Sequence, residues 1–182
     1  MGSRVCCEDG QVLRVVLGGA GLGGVVMPTW HYSVRVDEEK SAKAMVWDAP
    51  ISYKKIVELA RLLKGMKVDE ARRFLERVAR GEEPIPVRRY SGKQAHHRGL
   101  AAKYKWPIGR YPVKAAKILL RLLDNVTNNA EVKGLDTERL RIVHIAVHKG
   151  RVLKRWMPRA FGRATPKFKK YSHIEIVVAE EE

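Results

Sequence analysis

Apolar positions recur at helical spacing in three stretches of the chain and alternate with polar ones in three others. Ile56, Leu59, Ala60 and Leu63 share one helical face. Ser52 ahead of them suits an N-cap and Gly65 behind them suits a stop, which predicts a helix over 52–63. Ala71, Phe74, Leu75 and Val78 repeat the pattern and predict a second helix over 69–80, closed by Gly81. Its first turn carries Asp69 and Glu70 and its last Arg77 and Arg80, the order the helix dipole favours. Arg72, Arg73 and Glu76 form its solvated face. The broadest stripe, Val113, Ala116, Leu119, Leu120, Leu123 and Val126 with Ile118 and Leu122, predicts the central helix. It starts at Pro112, where a first-turn proline is tolerated, and runs to about Asn129. Alternation predicts strands over Leu140–His148 and Tyr171–Val178, and a shorter one near Ala44–Trp47 before a turn at Asp48-Ala49-Pro50. A turn at Asp136–Glu138 joins the third helix to the second strand, and the acidic tail 180–182 is expected to fray.

Two stretches have neither period. Lys149–Lys170 holds nine Lys or Arg and no acid: Lys149, Arg151, Lys154, Arg155, Arg159, Arg163, Lys167, Lys169 and Lys170. Trp156, Phe161 and Phe168 lie among them, and Gly150, Pro158, Gly162 and Pro166 forbid a regular helix. Flanked by two strands, the stretch reads as a ribbon arm of about eleven residues a side, able to reach roughly 35 Å. Residues 82–111 form a long connection with no clear element, a length that signals function or disorder. From Pro84 to Leu123 there are ten Lys or Arg and no acid.

Composition sharpens this picture. The chain has 182 residues, enough for one domain with appendages, and a formal net charge of +16. Such an excess calls for an anionic partner, nucleic acid first. No stretch has the roughly 20 apolar residues of a membrane span, and no basic amphipathic helix stands out, so no membrane partner is expected. The only cysteines, Cys6 and Cys7, are adjacent, which suits neither a structural disulfide nor a zinc site and fits a reducing, intracellular setting. Residues 1–26 read as an extension, disordered or translated from a start upstream of Met27; residues 27–182 read as a single RNA-binding domain. The glycines at 19–24 satisfy G-x-G-x-x-G, but Met27-Pro28 follows where a dinucleotide site needs a helix. Glu8 and Asp9 before the apolar run argue against a signal peptide.

Candidate chemistry is sparse. His144 and His148 point the same way on a strand but stand about 13 Å apart, too far for one metal. His173 faces the sheet or the RNA. No nucleophile motif, carboxylate pair or cofactor cradle accompanies the basic stretches, so no enzyme, cofactor, metal or small-molecule substrate is expected. The arm's parts do suit one task. Lys and Arg neutralise phosphates, Arg forks onto them, and aromatic faces receive unstacked bases. The candidate RNA-binding residues are the nine arm cations with Trp156, joined by Arg88, Arg89, Lys93, His97, Arg98, Lys103, Lys105 and Arg110 of the connection.

Longer motifs go further. Residues 157–164, MPRAFGRA, followed by Ser172-His173-Ile174-Glu175-Ile176, resemble the signature of the universal large-subunit ribosomal protein family numbered twenty-two in bacteria and seventeen in eukaryotes. The likeness continues in Gly109-Arg110-Tyr111-Pro112-Val113-Lys114-Ala115-Ala116, in Asn129-Ala130-Glu131 and in Ile51-Ser52, and covers about Trp30 to Glu180. The connection with His96-His97-Arg98 resembles the archaeal and eukaryotic form. Tyr53 stands where many members have proline, and residues 1–26 have no counterpart.

The resemblance implies an α+β fold, three helices packed on a small three-stranded antiparallel sheet with a long protruding basic β-hairpin. It implies a structural, non-catalytic protein of the cytoplasmic ribosome that binds large-subunit ribosomal RNA beside neighbouring ribosomal proteins. Its hairpin would run inward to the nascent-peptide tunnel, with Met157, Pro158, Arg159, Ala160, Phe161 and Gly162 at the tip and the nascent peptide as a partner. The alternative from another class is a DNA-architectural protein whose ribbon enters a minor groove, with Pro158 or Phe161 wedging a base step.

Overall fold

The structure, a computed structural model, describes residues 31–181 other than Glu38. The extension expected over residues 1–26 lies outside the described residues. Three strands form the main sheet: β1 (Ser41–Ala49), β4 (Leu140–Leu153) and β7 (Lys169–Glu180), in the order β1-β7-β4 and antiparallel throughout. Between them in the chain lie α1 (Tyr53–Leu63), α2 (Val68–Arg80), β2 (Ile85–Pro86), α3 (Leu100–Tyr104), β3 (Gly109–Arg110) and α4 (Val113–Val132). Two further short strands, β5 (Trp156–Pro158) and β6 (Ala164–Pro166), pair with each other. The fold is mixed helix and antiparallel sheet.

Alternation decides which side of the sheet is covered. Ala42, Ala44, Ile142, Ile145, Ile174, Ile176 and Val178 share one face and are buried with the helices. A register shift between Ile142 and His144 keeps Ile142 and Ile145 on that face despite their odd spacing. Against this face lies α4, with Leu119, Leu122, Leu123 and Val126 all within one per cent of full burial. Its stripe is wide because it meets α2 on one side and β1 on another.

The helices begin and end close to the expected positions, with informative differences. Ser52 occupies the N-cap of α1 but its hydroxyl makes no capping bond. Gly81 closes α2 in the left-handed region, φ 82°. The central helix passes Asn129 and ends at Val132, because Asn129 turns outward to donate from Nδ2 to the Lys43 carbonyl at 2.9 Å while Ala130 is buried. Gly134, φ 75°, then turns the chain and the Leu135 amide reaches back to the Ala130 carbonyl.

Residues 82–111 correct the expectation of a connection without elements, and with it the count of three helices. There are four α-helices among the described residues, the fourth being α3, and β2 pairs with β3. The element is five residues long, preceded by Gly99 in the left-handed region, and carries only one buried residue, Leu100. No periodic stripe can show in so short a helix. The connection is closed by its own contacts: Trp106 Nε1 donates to the Val87 carbonyl at 2.9 Å, and the His97 amide to the Pro107 carbonyl at 3.0 Å. Gly109 is obligatory here, since a Cβ would lie 2.9 Å from the Ile85 carbonyl oxygen. The expected turn at Asp136–Glu138 is a short 3-10 turn over Thr137–Arg139, capped by the Asp136 carboxylate.

Candidate nucleic-acid interface

Strand pairing carries part of the basic stretch away from the core. Past Lys149–Ser172 the ladder of β4 and β7 slips register, then resumes at Val152–Lys170 and Leu153–Lys169. Gly150 sits in the slip, where a Cβ would meet the Tyr171 backbone at 3.1 Å. Beyond it, Trp156 faces Pro166 and Pro158 faces Ala164. The chain reverses over Phe161 and Gly162, both in the left-handed region with φ 58° and 66°, and the Arg163 amide donates to the Ala160 carbonyl at 3.4 Å. Two positive φ values in succession are what a tight turn needs to match the strands' twist. Every residue from Arg151 to Lys170 is exposed.

The predicted arm residues lie along the outer ends of β4 and β7, the separate pair β5 and β6 and the segments joining them, and Phe161 at the turn is 95% exposed. Not all are equally disposed. Arg151 pairs with Asp48 at 3.2 Å and lies over the Tyr171 ring. Lys149 lies over Tyr53 and Lys169 over Tyr171. Trp156 and Phe168 meet edge to face across the ribbon, with centroids 5.8 Å apart, so each shields part of the other. Among the described residues no carboxylate lies within ion-pair distance of Lys154, Arg155, Arg159, Arg163, Lys167 or Lys170. No helix is long and apolar enough to cross a membrane among those residues.

The residues predicted in the connection divide into two kinds. Arg88, Arg89, Lys93, Arg98, Lys105 and Arg110 are exposed. Arg88 nevertheless donates to the Tyr104 carbonyl at 3.2 Å, and Arg110 to Gln94. Lys103 is committed to Glu83, which also takes a 2.9 Å bond from Arg77. Burial pushes the Glu83 carboxyl up, but bonds from Lys103 and Arg77 outweigh it and hold the group below its ordinary value. The same pairing raises Lys103. His97 is half-buried and packs edge-on against Tyr111, a structural position.

On the sheet face opposite the helices lies a polar centre that residue spacing did not reveal. Glu175, fully buried on the middle strand, accepts from the Ser33 hydroxyl and, at 3.3 Å, from the Ser33 amide. His144 and His148 both bring Nε2 to the same Glu175 oxygen, at 3.3 and 3.4 Å. The two rings, both on β4, converge on Glu175 of the neighbouring strand β7, which pairs with Ala146 midway between them, so their tips are closer than the expected separation along the strand. Burial raises the Glu175 carboxyl; bonds from Ser33, His148 and His144 more than reverse this and keep it below its ordinary value. Burial also raises the Tyr32 hydroxyl, with the Glu175 charge adding to it. Among the described residues no group of three His, Cys, Asp or Glu is placed to hold a metal.

His173 is buried on this same face, edge-on to Trp47 with centroids 4.2 Å apart. The Asp48 amide donates to its Nδ1 at 3.1 Å. Burial holds the imidazole below its ordinary pKa, and His148 adds to this against the pull of Asp48. The accepting role of Nδ1 agrees with a neutral ring and outweighs the 3.9 Å approach of the Asp48 carboxylate. His173 thus faces the protein, which decides between its two expected positions.

The described residues thus form a small α+β domain of the kind that presents exposed cations on paired strands and on a closed connection. Comparison with known proteins gives the family. The family described as Ribosomal protein L22p/L17e matches residues 44–179. "Large ribosomal subunit protein uL22" of Ignicoccus hospitalis is 63% identical over 159 residues, covering 86% of this chain and all of that protein. Its namesakes of Staphylothermus marinus and Methanocaldococcus jannaschii are 62% and 48% identical, covering 85% and 86% of this chain and 99% and 98% of their own. The chain belongs to the L22p/L17e family of large-subunit ribosomal proteins and is of the archaeal type. That family is a structural constituent of the ribosome and not an enzyme class, and its place is the cytoplasmic ribosome.

Proposed function

We propose that the chain anchors in the large subunit by binding ribosomal RNA through the protruding hairpin Lys149–Lys170 and the exposed cations of residues 82–111, alongside neighbouring ribosomal proteins. One observation carries this: Arg151–Lys170 is paired into a ribbon yet buries none of its residues. A two-stranded ribbon without a core is marginal in water, and this one concentrates like charges. Surrounding phosphates supply the missing order. Lys154, Arg155, Arg159 and Arg163 are its principal phosphate contacts, and Arg88, Arg89, Lys93, Arg98, Lys105 and Arg110 the second set. His97 and Lys103 act indirectly, by holding the connection in shape.

The tip, Met157 to Gly162, lies in this reading at the wall of the nascent-peptide tunnel, where Phe161 meets the emerging chain. The placement rests on the likeness of this segment to the family's signature. Sedimentation tests the whole reading. The protein is expected to travel with the large subunit in high-magnesium gradients and to be released by ribonuclease. Recovery with DNA alone would overturn it in favour of the architectural alternative.

A further inference from the structure

We propose that the cleft between the first turn of α1 and residues 85–94 seats a single unstacked nucleotide of RNA. The inference rests on the reading of the chain as an RNA-binding protein and adds a defined subsite to it. The cleft is about 380 Å³, within the range of pockets that hold small ligands. Three cations line it, Lys54, Lys55 and Arg110, with one carboxylate, Glu58. Lys54 and Lys55 belong to α1, outside both basic stretches, so the fold and not the sequence brings them to Arg110.

The lining is graded as a nucleotide requires. Its floor is apolar, from Ile85 and Val87, both buried. One wall is the half-buried ring of Tyr90, a platform on which a base can stack. In the protein alone Lys54 Nζ lies 4.9 Å from that ring's centroid and Arg89 Cζ 5.7 Å. An exposed lysine is held there by a weak cation–π attraction. A phosphate at the rim draws Lys54 away and opens the ring face to a base, one contact exchanged for two. Arg110 is already oriented toward the cleft by its bond to Gln94. Glu58 is only 3% exposed, and its Oε1 accepts from the Arg89 amide at 2.8 Å. That bond fixes the carboxylate beside the floor, where it can accept from a base amino group. An inorganic anion would use the cations but neither the ring nor the floor.

Crosslinking tests the assignment. The full chain is bound to a transcript of large-subunit ribosomal RNA, irradiated at short wavelength, digested and read by mass spectrometry. A nucleotide adduct on Tyr90 is the expected result. Adducts confined to the ribbon aromatics would overturn the cleft and leave the general RNA reading standing; failure of the chain to retain the transcript would overturn that reading as well. Affinity gives the second measurement. Tyr90→Ala, and separately Lys54→Ala with Lys55→Ala, should each weaken binding to the transcript on the order of tenfold, while Tyr90→Phe keeps the ring and binds as the parent. Equal affinity in all three would overturn the proposal, with circular dichroism confirming that each variant is folded.

Discussion

Glu175 shows how one buried charge can tie a segment to a sheet. Its bonds to Ser33, His144 and His148 exist in the folded chain alone, and its pKa is lowered there. A lowered folded value means stability that is full above the ordinary carboxylate pKa and lost as pH falls through the folded one. Glu83 behaves in the same way through Lys103 and Arg77. For His173 the lowered value favours the neutral ring, so its contribution is full above about 6.5 and lost as pH falls below it. The signs agree. Thermal melts should show highest stability near neutral pH, a first decline below about 6.5 and a steeper one below about 4.3. In His173→Asn the first decline should vanish; a Tm that rises on acidification would contradict the assignment. Gly109 makes a steric prediction at the same scale. Gly109→Ala places a methyl against the Ile85 carbonyl and should cost about 1–3 kcal/mol in urea unfolding, whereas Gly92→Ala, with open space around it, should cost far less.

Among the elements, the ribbon and the central helix are opposites. The helix α4 spends its stripe on α2 and β1, while the ribbon spends nothing on the core. Removing Arg155–Arg163 and closing the gap with a short turn should therefore leave the Tm of the domain near that of the parent. A large fall would show that the tip supports the fold. The same deletion should lower RNA affinity, since it removes Arg155, Arg159 and Arg163 together. Amide exchange should separate the two elements, fast across Trp156–Pro166 and slow across Leu119–Val126, because opening the ribbon exposes no buried surface.

At the scale of the molecule, charge is the main variable. With a net charge of +16, binding to RNA should weaken steeply with salt, by a logarithmic slope of roughly −0.7 for each phosphate neutralised. Neutralising Lys154, Arg155, Arg159 and Arg163 should flatten that slope by roughly three units, measurable by filter binding across a potassium series. An unchanged slope would place the RNA contacts elsewhere. The charge is tolerated because it is displaced from the core: the ribbon cations are all exposed, and buried Glu58 and Glu175 are both hydrogen-bonded.

How much of this was legible in the sequence follows from which interactions are local. Helical periodicity located α1, α2 and α4 to within a few residues, because a continuous apolar stripe needs only one packed face to reveal it. Strand alternation, the acid-free runs and the tip motif Met157–Ala164 were equally readable and led to the right family. What sequence could not supply is any arrangement that depends on distant residues meeting. The short elements of residues 82–111 are stabilised by Trp106 on Val87 and by Gly109 against Ile85, not by periodicity. The convergence of His144 and His148 on Glu175 requires strands β4 and β7 side by side, with Ser33 brought from the other end of the chain. Lys54 and Lys55 meet Arg110 only after α1 and the connection have packed. The sequence by itself determined the three long helices, the three main strands, the family and the clustering of positive charge, since each is written in residues near one another. Tertiary structure alone decided which cations are spent within the protein and which face outward, because ion pairs and burial are set by neighbours in space.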